Sequence, residues 1–238
     1  MTSVAPLVAV LVSADGEWKA VRSIIPDTVV SHSPMGEWFI LKDSPSNVPI
    51  LFFHSGWGKI ASAASTQYVI DRWQVSLLVN LGTCGGIAGQ IEQGAIVLVK
   101  KTVVYDIFEE MGDAQEHLEH YTTEIDLSWL SPPYPIPVTK TTLYSADRDL
   151  QISDIPWLVS QLNAQVVDWE SGAIAWVADR NDTPCLILRG VTDLVGEDGG
   201  EAYENMEYWL QGAEKVLKSL ITSLPGWISA AQEILSGR

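Results

Sequence analysis

Short apolar runs that each give way to a helically spaced segment recur along this chain, and that alternation restricts its fold more than any other feature. Leu7 to Val12 is continuous and Val-rich, as a strand buried on both faces requires. Gly16 to Ile25 follows, with Trp18, Val21, Ile24 and Ile25 at helical spacing. The pattern repeats at Ile50 to Phe53 then Ile60 to Trp73, at Leu77 to Leu81, at Gln165 to Val167 then Ser171 to Asp179, and at Cys185 to Leu188 then Ala202 to Leu220. Such alternation predicts an α/β fold, a mostly parallel sheet with helices on both faces. Ile96 to Val104 adds a strand-rich stretch broken by Lys100 and Lys101, so the sheet is expected to be mixed. At 238 residues, 47% of them hydrophobic, the chain can bury one sizeable core, and residues 1–238 are read as a single domain.

Asp106 to Pro137 weakens into acidic and Pro-rich sequence and is expected to be a long loop. Trp227 to Leu235 reads as a short amphipathic packing helix. Charge narrows the partners: 30 Asp and Glu against 14 Lys and Arg give a formal charge of -16, which repels a nucleic-acid backbone or an anionic membrane. No run approaches the roughly 18 to 20 apolar residues of a membrane helix, and Met1 to Val12 lacks the basic region of a secretory signal, so a cytoplasmic protein is expected. Two cysteines, Cys84 and Cys185, are too few for a disulfide scaffold. His117 and His120 alone among the four histidines fall at helix-neighbour spacing, where a solvated helix face is the expected reading. Neither a metal nor a cofactor is expected, because ligand spacing and a dinucleotide fingerprint are both missing from the sequence.

In open α/β sheets ligands bind beyond the carboxyl ends of the strands, which makes the residues after each apolar run the candidates for chemistry. Four polar clusters stand there: Ser13-Ala14-Asp15-Gly16-Glu17, Gly82-Thr83-Cys84-Gly85-Gly86, Asp168-Trp169-Glu170, and Arg189-Gly190-Val191-Thr192-Asp193. Three glycines in five residues let a backbone approach a ligand closely. A carboxylate at a helix start also has an ordinary explanation in capping and the helix dipole. Parallel strands would nevertheless point all four clusters at one crevice.

Together with Ser55-Gly56-Trp57-Gly58-Lys59, Val79-Asn80-Leu81 and Ser145-Ala146-Asp147, and in this order, these segments resemble the nucleoside phosphorylase and nucleosidase superfamily, most closely the methylthioadenosine/S-adenosylhomocysteine nucleosidases. The resemblance implies a three-layer α/β/α sandwich and hydrolysis of the bond between a purine and its sugar. It makes Asp193 the acid that protonates the purine N7, with Thr192 holding it. Glu170 would hydrogen-bond the ribose hydroxyls, and Glu17 would orient and deprotonate the attacking water with Thr83 and Arg189. Leaving-group protonation and water activation need groups on opposite sides of the sugar, as this division supplies. Cys84, Gly85, Asp149, Leu150, Asp168 and Trp169 complete the implied substrate-binding set.

Two departures bear on the substrate. Trp169 stands where the nucleosidases usually carry a Met on the ribose, and Asp149-Leu150 falls where they often place an aromatic on the base. Nucleoside is thus better supported than adenine. Phosphorylases of the superfamily carry a phosphate-binding arginine where this chain has Asn80, and others after the first strand, where Ser13 to Trp18 has none. Without such bidentate donors hydrolysis is favoured over phosphorolysis. A purine nucleoside phosphorylase, a futalosine-type hydrolase and a noncatalytic nucleoside-binding or storage protein remain the alternatives. Relatives form dimers or larger rings, so a homodimer or higher homo-oligomer is expected.

Overall fold

A computed structural model of the protein describes residues 7–107, 109–112 and 114–236. Met1 to Pro6, half of the stretch examined above for a signal, lies outside the described residues, as do Phe108 and Asp113 of the expected loop. The chain opens with β1 (Val8–Val12), α1 (Asp15–Ile24), β2 (Ser31–Ser33), β3 (Gly36–Leu41), β4 (Ile50–His54) and α2 (Lys59–Trp73). It continues through β5 (Leu77–Ile87), β6 (Ile96–Val104), α3 (Ala114–His120), β7 (Thr122–Glu124), β8 (Thr139–Ser145) and α4 (Ile155–Leu162). The last third holds β9 (Val166–Asp168), α5 (Ser171–Arg180), β10 (Cys185–Gly196), β11 (Gly199–Gly200), α6 (Met206–Ala230) and α7 (Gln232–Leu235).

The first apolar run does what its composition demands. All five β1 side chains are fully buried, and alternate residues serve different cores. Val8, Val10 and Val12 pack in one cluster with Trp18 and Val21 of α1 and with Val216, Leu217 and Leu220 of α6. Ala9 and Leu11 pack in another with Val69 of α2 and with Ile174, Ala175 and Ala178 of α5. Burying each Val or Leu stabilises the fold by about 1.5–3 kcal/mol, so β1 is fixed by both faces at once.

The sheet is mixed, as expected, but it is not open. Its order is β11-β10-β6-β8-β9-β5-β1-β4-β3-β2, and β5 also pairs with β10, closing a barrel-like circuit through β10, β6, β8, β9 and β5. The pairs β1–β4, β1–β5, β5–β10, β6–β8 and β8–β9 are parallel, whereas β5–β9 and β6–β10 run antiparallel and bring the sheet round on itself. The physical reason is strand length. Both β5 and β10 continue well past the apolar runs that signalled them, and the twist accumulated along long paired strands turns one end of a sheet toward the other.

Other expectations are corrected by packing. The stretch from 106 to 137 contains α3 and β7, the latter pairing with β6, and its Leu127 and Leu130 are buried in the first cluster. It is therefore part of the core's cover and not a bare loop. Trp227 belongs to the long α6, which runs to Ala230 before the short α7 begins. His117 is buried, so α3 does not present both histidines to solvent.

Candidate active site

The site grows from Arg189, which lies in the middle of β10 and is 1% exposed. Burying a guanidinium requires that its donors find acceptors, and they do. Its Nε donates to Ser171 Oγ at 3.1 Å, its Nη2 to Asn80 Oδ1 at 2.8 Å, and its Nη1 to the Thr83 carbonyl at 3.3 Å. Three carboxylates surround the same cation: Asp168 at 2.9 Å, Glu170 at 3.7 Å and Glu17 at 3.9 Å. Gly82 makes the approach possible, because a Cβ there would overlap Arg189 Nη1 and stand 2.8 Å from Glu17 Oε1.

Each carboxylate is held differently. Glu17 is in the first turn of α1, where its Oε2 accepts the Ala14 N–H at 3.2 Å, the carboxylate half of a capping box. Its Oε1 accepts the Thr83 N–H at 2.6 Å and the Thr83 hydroxyl at 2.8 Å. Of about four lone-pair positions on a carboxylate, this leaves one on Oε2 for a further donor. Glu170 is the residue before α5 but does not cap it. Its Oε1 instead accepts the Gly58 N–H at 3.0 Å, and burial pushes its carboxyl well above the ordinary range, with Arg189 opposing that shift. Asp168 does the capping in its place, accepting the Ser171 N–H at 3.0 Å and the Ser145 hydroxyl at 2.6 Å.

Asp193 reaches the site by another route. The β5–β10 register slips between Val191 and Asp193, so Thr192 is the extra residue of a bulge, a device that re-aims the side chain after it. Asp193 then stands opposite Gly85. The Thr192 hydroxyl donates to Asp193 Oδ1 at 2.8 Å. Burial nevertheless raises the Asp193 carboxyl above its usual value, and the charges of Glu201 and Asp149 raise it further.

The remaining predicted residues divide. Trp169 is half-buried and stacks on the exposed ring of Trp57, with centroids 6.2 Å apart and an interplanar angle of 23°, so it is not core. The Cys84 side chain packs in the second apolar cluster, where burial pushes its thiol up. Leu150 is buried in a third cluster with Leu158 and Tyr105, and Asp149 is exposed beside it. The contacts of Asp168 all point into the protein. Two of the four polar clusters also lie elsewhere than expected: 82–86 and 189–193 are inside β5 and β10 and not beyond their ends.

Sequence reasoning passed over Tyr203, whose hydroxyl donates to the Leu150 carbonyl at 2.6 Å. Burial, with the negative charges of Asp149 and Asp193, pushes its phenol up to about 12. Tyr203 falls in the segment from Ala202 to Leu220 expected to be helical, but α6 begins only at Met206, so Tyr203 stands before the helix. Asn80 did leave a signal, as a lone polar residue inside the apolar run from Leu77 to Leu81. Two surface depressions, one lined by Pro135, Lys215 and Ser223 and the other by Lys101, Glu119 and Tyr144, carry none of the site's side chains. Among the described residues, no group of three or more His, Cys, Asp or Glu side chains is placed to hold a metal ion, and no helix is long and apolar enough to cross a membrane.

A family model described as the phosphorylase superfamily matches residues 7–224. The 5'-methylthioadenosine/S-adenosylhomocysteine nucleosidase of Buchnera aphidicola (subsp. Acyrthosiphon pisum, strain APS) is 23% identical over 187 residues, covering 74% of this chain and 81% of that protein. The fold is similar to that of the Helicobacter pylori 5'-methylthioadenosine/S-adenosylhomocysteine nucleosidase, with a TM-score of 0.74 at 16% identity over 92% of this chain and 98% of that one. It is equally similar to the futalosine hydrolase of Helicobacter pylori, with a TM-score of 0.74 at 17% identity over 92% and 97%.

Proposed function

From the premise that this chain belongs to the phosphorylase superfamily, we propose that it hydrolyses the N-glycosidic bond of a purine nucleoside such as 5'-methylthioadenosine or S-adenosylhomocysteine. The observation that carries the reading is the gathering of Glu17 and Glu170 around Arg189, with Asp193 four residues further along the same strand, aimed by the bulge and held by Thr192. In this reading the helices flanking the sheet form the outer layers of a three-layer sandwich, and residues 1–238 make one domain. The nucleoside relatives support the substrate class, while the like fit to a futalosine hydrolase leaves the choice among nucleosides to the site.

Burial raises the Asp193 carboxyl and so favours its acid form, which delivers a proton to N7 of the base. The electron pair of the C1'–N9 bond then leaves with a base that departs neutral. Glu170 accepts hydrogen bonds from the ribose hydroxyls, which strengthen as positive charge develops on the sugar. Water attacks C1', losing a proton to the open lone pair of Glu17, and the products are free base and free sugar. Thr83 fixes that carboxylate through two hydrogen bonds, so the base is oriented before substrate arrives.

Water is preferred to phosphate for a reason the contacts supply. Asn80 is engaged through both its amide oxygen and its nitrogen, the latter donating to the Leu11 carbonyl at 3.1 Å, and Arg189 spends its donors on Ser171, Asn80, Thr83 and the carboxylates. A dianion entering among Glu17, Asp168 and Glu170 would find no unspent guanidinium there. The like fold similarity to a futalosine hydrolase keeps a futalosine-type substrate as the second reading. We extend the proposal to a cytoplasmic homodimer in which a second copy covers Trp57 and Ile60, 67% and 85% exposed. Sedimentation equilibrium of the pure protein tests that extension, and a monomer at micromolar concentration overturns it.

The activity is tested by incubating pure protein with methylthioadenosine, S-adenosylhomocysteine and futalosine, with and without phosphate, and analysing both products. Free sugar without phosphate supports hydrolysis. Sugar 1-phosphate formed only with phosphate overturns it, and nucleoside affinity by calorimetry without any base release identifies a binder.

A further inference from the structure

Three segments distant in sequence meet at Lys59, the first residue of α2. Its side-chain ammonium bonds Asp106, which follows β6, and stands 3.5 Å from Asp147, which follows β8. The backbone completes the arrangement. The Lys59 N–H donates to Asp147 Oδ1 at 2.7 Å, and the Asp147 N–H donates to Asp106 Oδ2 at 2.8 Å. A carboxylate at this helix start also meets the positive end of the α2 dipole. The Lys59 and Asp106 side chains are only 16% and 15% exposed, so this is a sheltered cluster and not a loose surface pair.

The residue before Lys59 is Gly58, whose N–H bonds Glu170 Oε1 at 3.0 Å. Gly58 has φ +83, in the left-handed region, and a Cβ there would come within 3.1 Å of Asp147 Oδ1. The loop is thus pressed against Asp147 on one side and offers its amide to Glu170 on the other. We propose that Lys59, Asp106 and Asp147 form a clamp that fixes the Gly58 N–H on Glu170, which makes Lys59 a positioning residue for the carboxylate that holds the sugar.

This proposal rests on the nucleosidase reading for its consequence in turnover, but its geometry is testable on Glu170 alone. The groups facing Glu170 are Arg189 from β10, Asp168 from β9, Glu17 from α1 and the Gly58 amide. Arg189 and the amide favour the ionised form, while burial and the two acids oppose it. Releasing the amide therefore raises the pH at which Glu170 ionises. A hydrogen bond to a charged group is strong enough to move that midpoint by about one unit, a tenfold change in the ratio of ionised to protonated form.

The experiment follows the Glu170 carboxyl by carbon NMR in protein labelled at the glutamate side-chain carbonyl, with Glu170→Gln assigning the signal. Lys59→Met and, as a milder second variant, Asp106→Asn are compared with Lys59→Arg. The clamp predicts an upward shift in Lys59→Met, a smaller one in Asp106→Asn and restoration in Lys59→Arg. The acid limb of the kcat/KM profile then moves with the NMR midpoint. A midpoint unchanged in folded Lys59→Met or Asp106→Asn overturns the clamp even if the wild type cleaves nucleosides. If the wild type releases no base but the midpoint shifts, the clamp stands and the nucleosidase reading falls.

Discussion

Around Arg189, three buried carboxylates share one cation and a ring of neutral donors; at Asp193, a single hydroxyl supports a carboxyl that burial and two further acids press toward its protonated form. In the first region one cation is shared among the acids, with Gly82 making room for its guanidinium. The second leaves one acid undercompensated where the β10 bulge aims it. The contrast teaches how a chain of formal charge -16 sustains two kinds of carboxylate in the proposed site. Three acids in the first region face a shared cation, while in the second burial favours the acid form of a carboxyl that has no cation beside it among the contacts described.

The contrast breaks most visibly if the shared cation is removed. Arg189→Met strands Glu17, Asp168 and Glu170 together, and urea denaturation is expected to show a loss of about 3–5 kcal/mol, the cost of leaving buried charges unpaired. A loss under about 1 kcal/mol would mean that the three acids are not held by that residue.

Two glycines three residues apart on β5 sharpen it next. At Gly82 a Cβ collides with Arg189 and Glu17, and Gly82→Ala is expected to cost about 1–3 kcal/mol by overpacking. At Gly85, opposite Asp193, a Cβ would meet Val167 Cγ2 at an ordinary 3.6 Å, so Gly85→Ala should leave stability within about 1 kcal/mol of wild type. Equal penalties at the two positions would erase the distinction between a packed region and an open one.

A further test comes from pH. The folded-state value of Glu170 is raised from 4.5 to about 8, so folding takes up a proton between those values. The stability it contributes is present below the unfolded value and is lost as pH rises through the folded one. Melting temperature should therefore fall from pH 5 to pH 8.5, and Glu170→Gln should flatten that slope. An equal slope in the variant would place the titration in another group.

The sequence exposed this site unevenly, and the reasons are local. Apolar runs marked β1, β4 and the starts of β5 and β10, because strands buried on both faces leave a continuous signature. They did not mark where β5 and β10 end, since Gly82 to Gly86 reads as a turn while the strand runs through it, with Gly82 and Gly86 making room for neighbouring side chains. The β2–β3 hairpin, β8 and α4 are short or half-exposed and carry little periodicity. Motif order placed Glu17, Glu170 and Arg189 among the candidates before any fold was known. It could not divide the work of neighbours such as Asp168 and Glu170, two positions apart, because which one caps α5 depends on where Arg189 and Gly58 lie.

Asp193→Asn puts the account to its most direct test, with turnover of methylthioadenosine, affinity for the same nucleoside and stability measured on one preparation. An amide keeps the shape and the Thr192 contact but has no proton to give to N7. The account predicts a kcat lower by about 10²–10⁴, with affinity and stability nearly unchanged because the amide keeps the shape of the neutral carboxyl. Turnover close to the wild-type rate would contradict it.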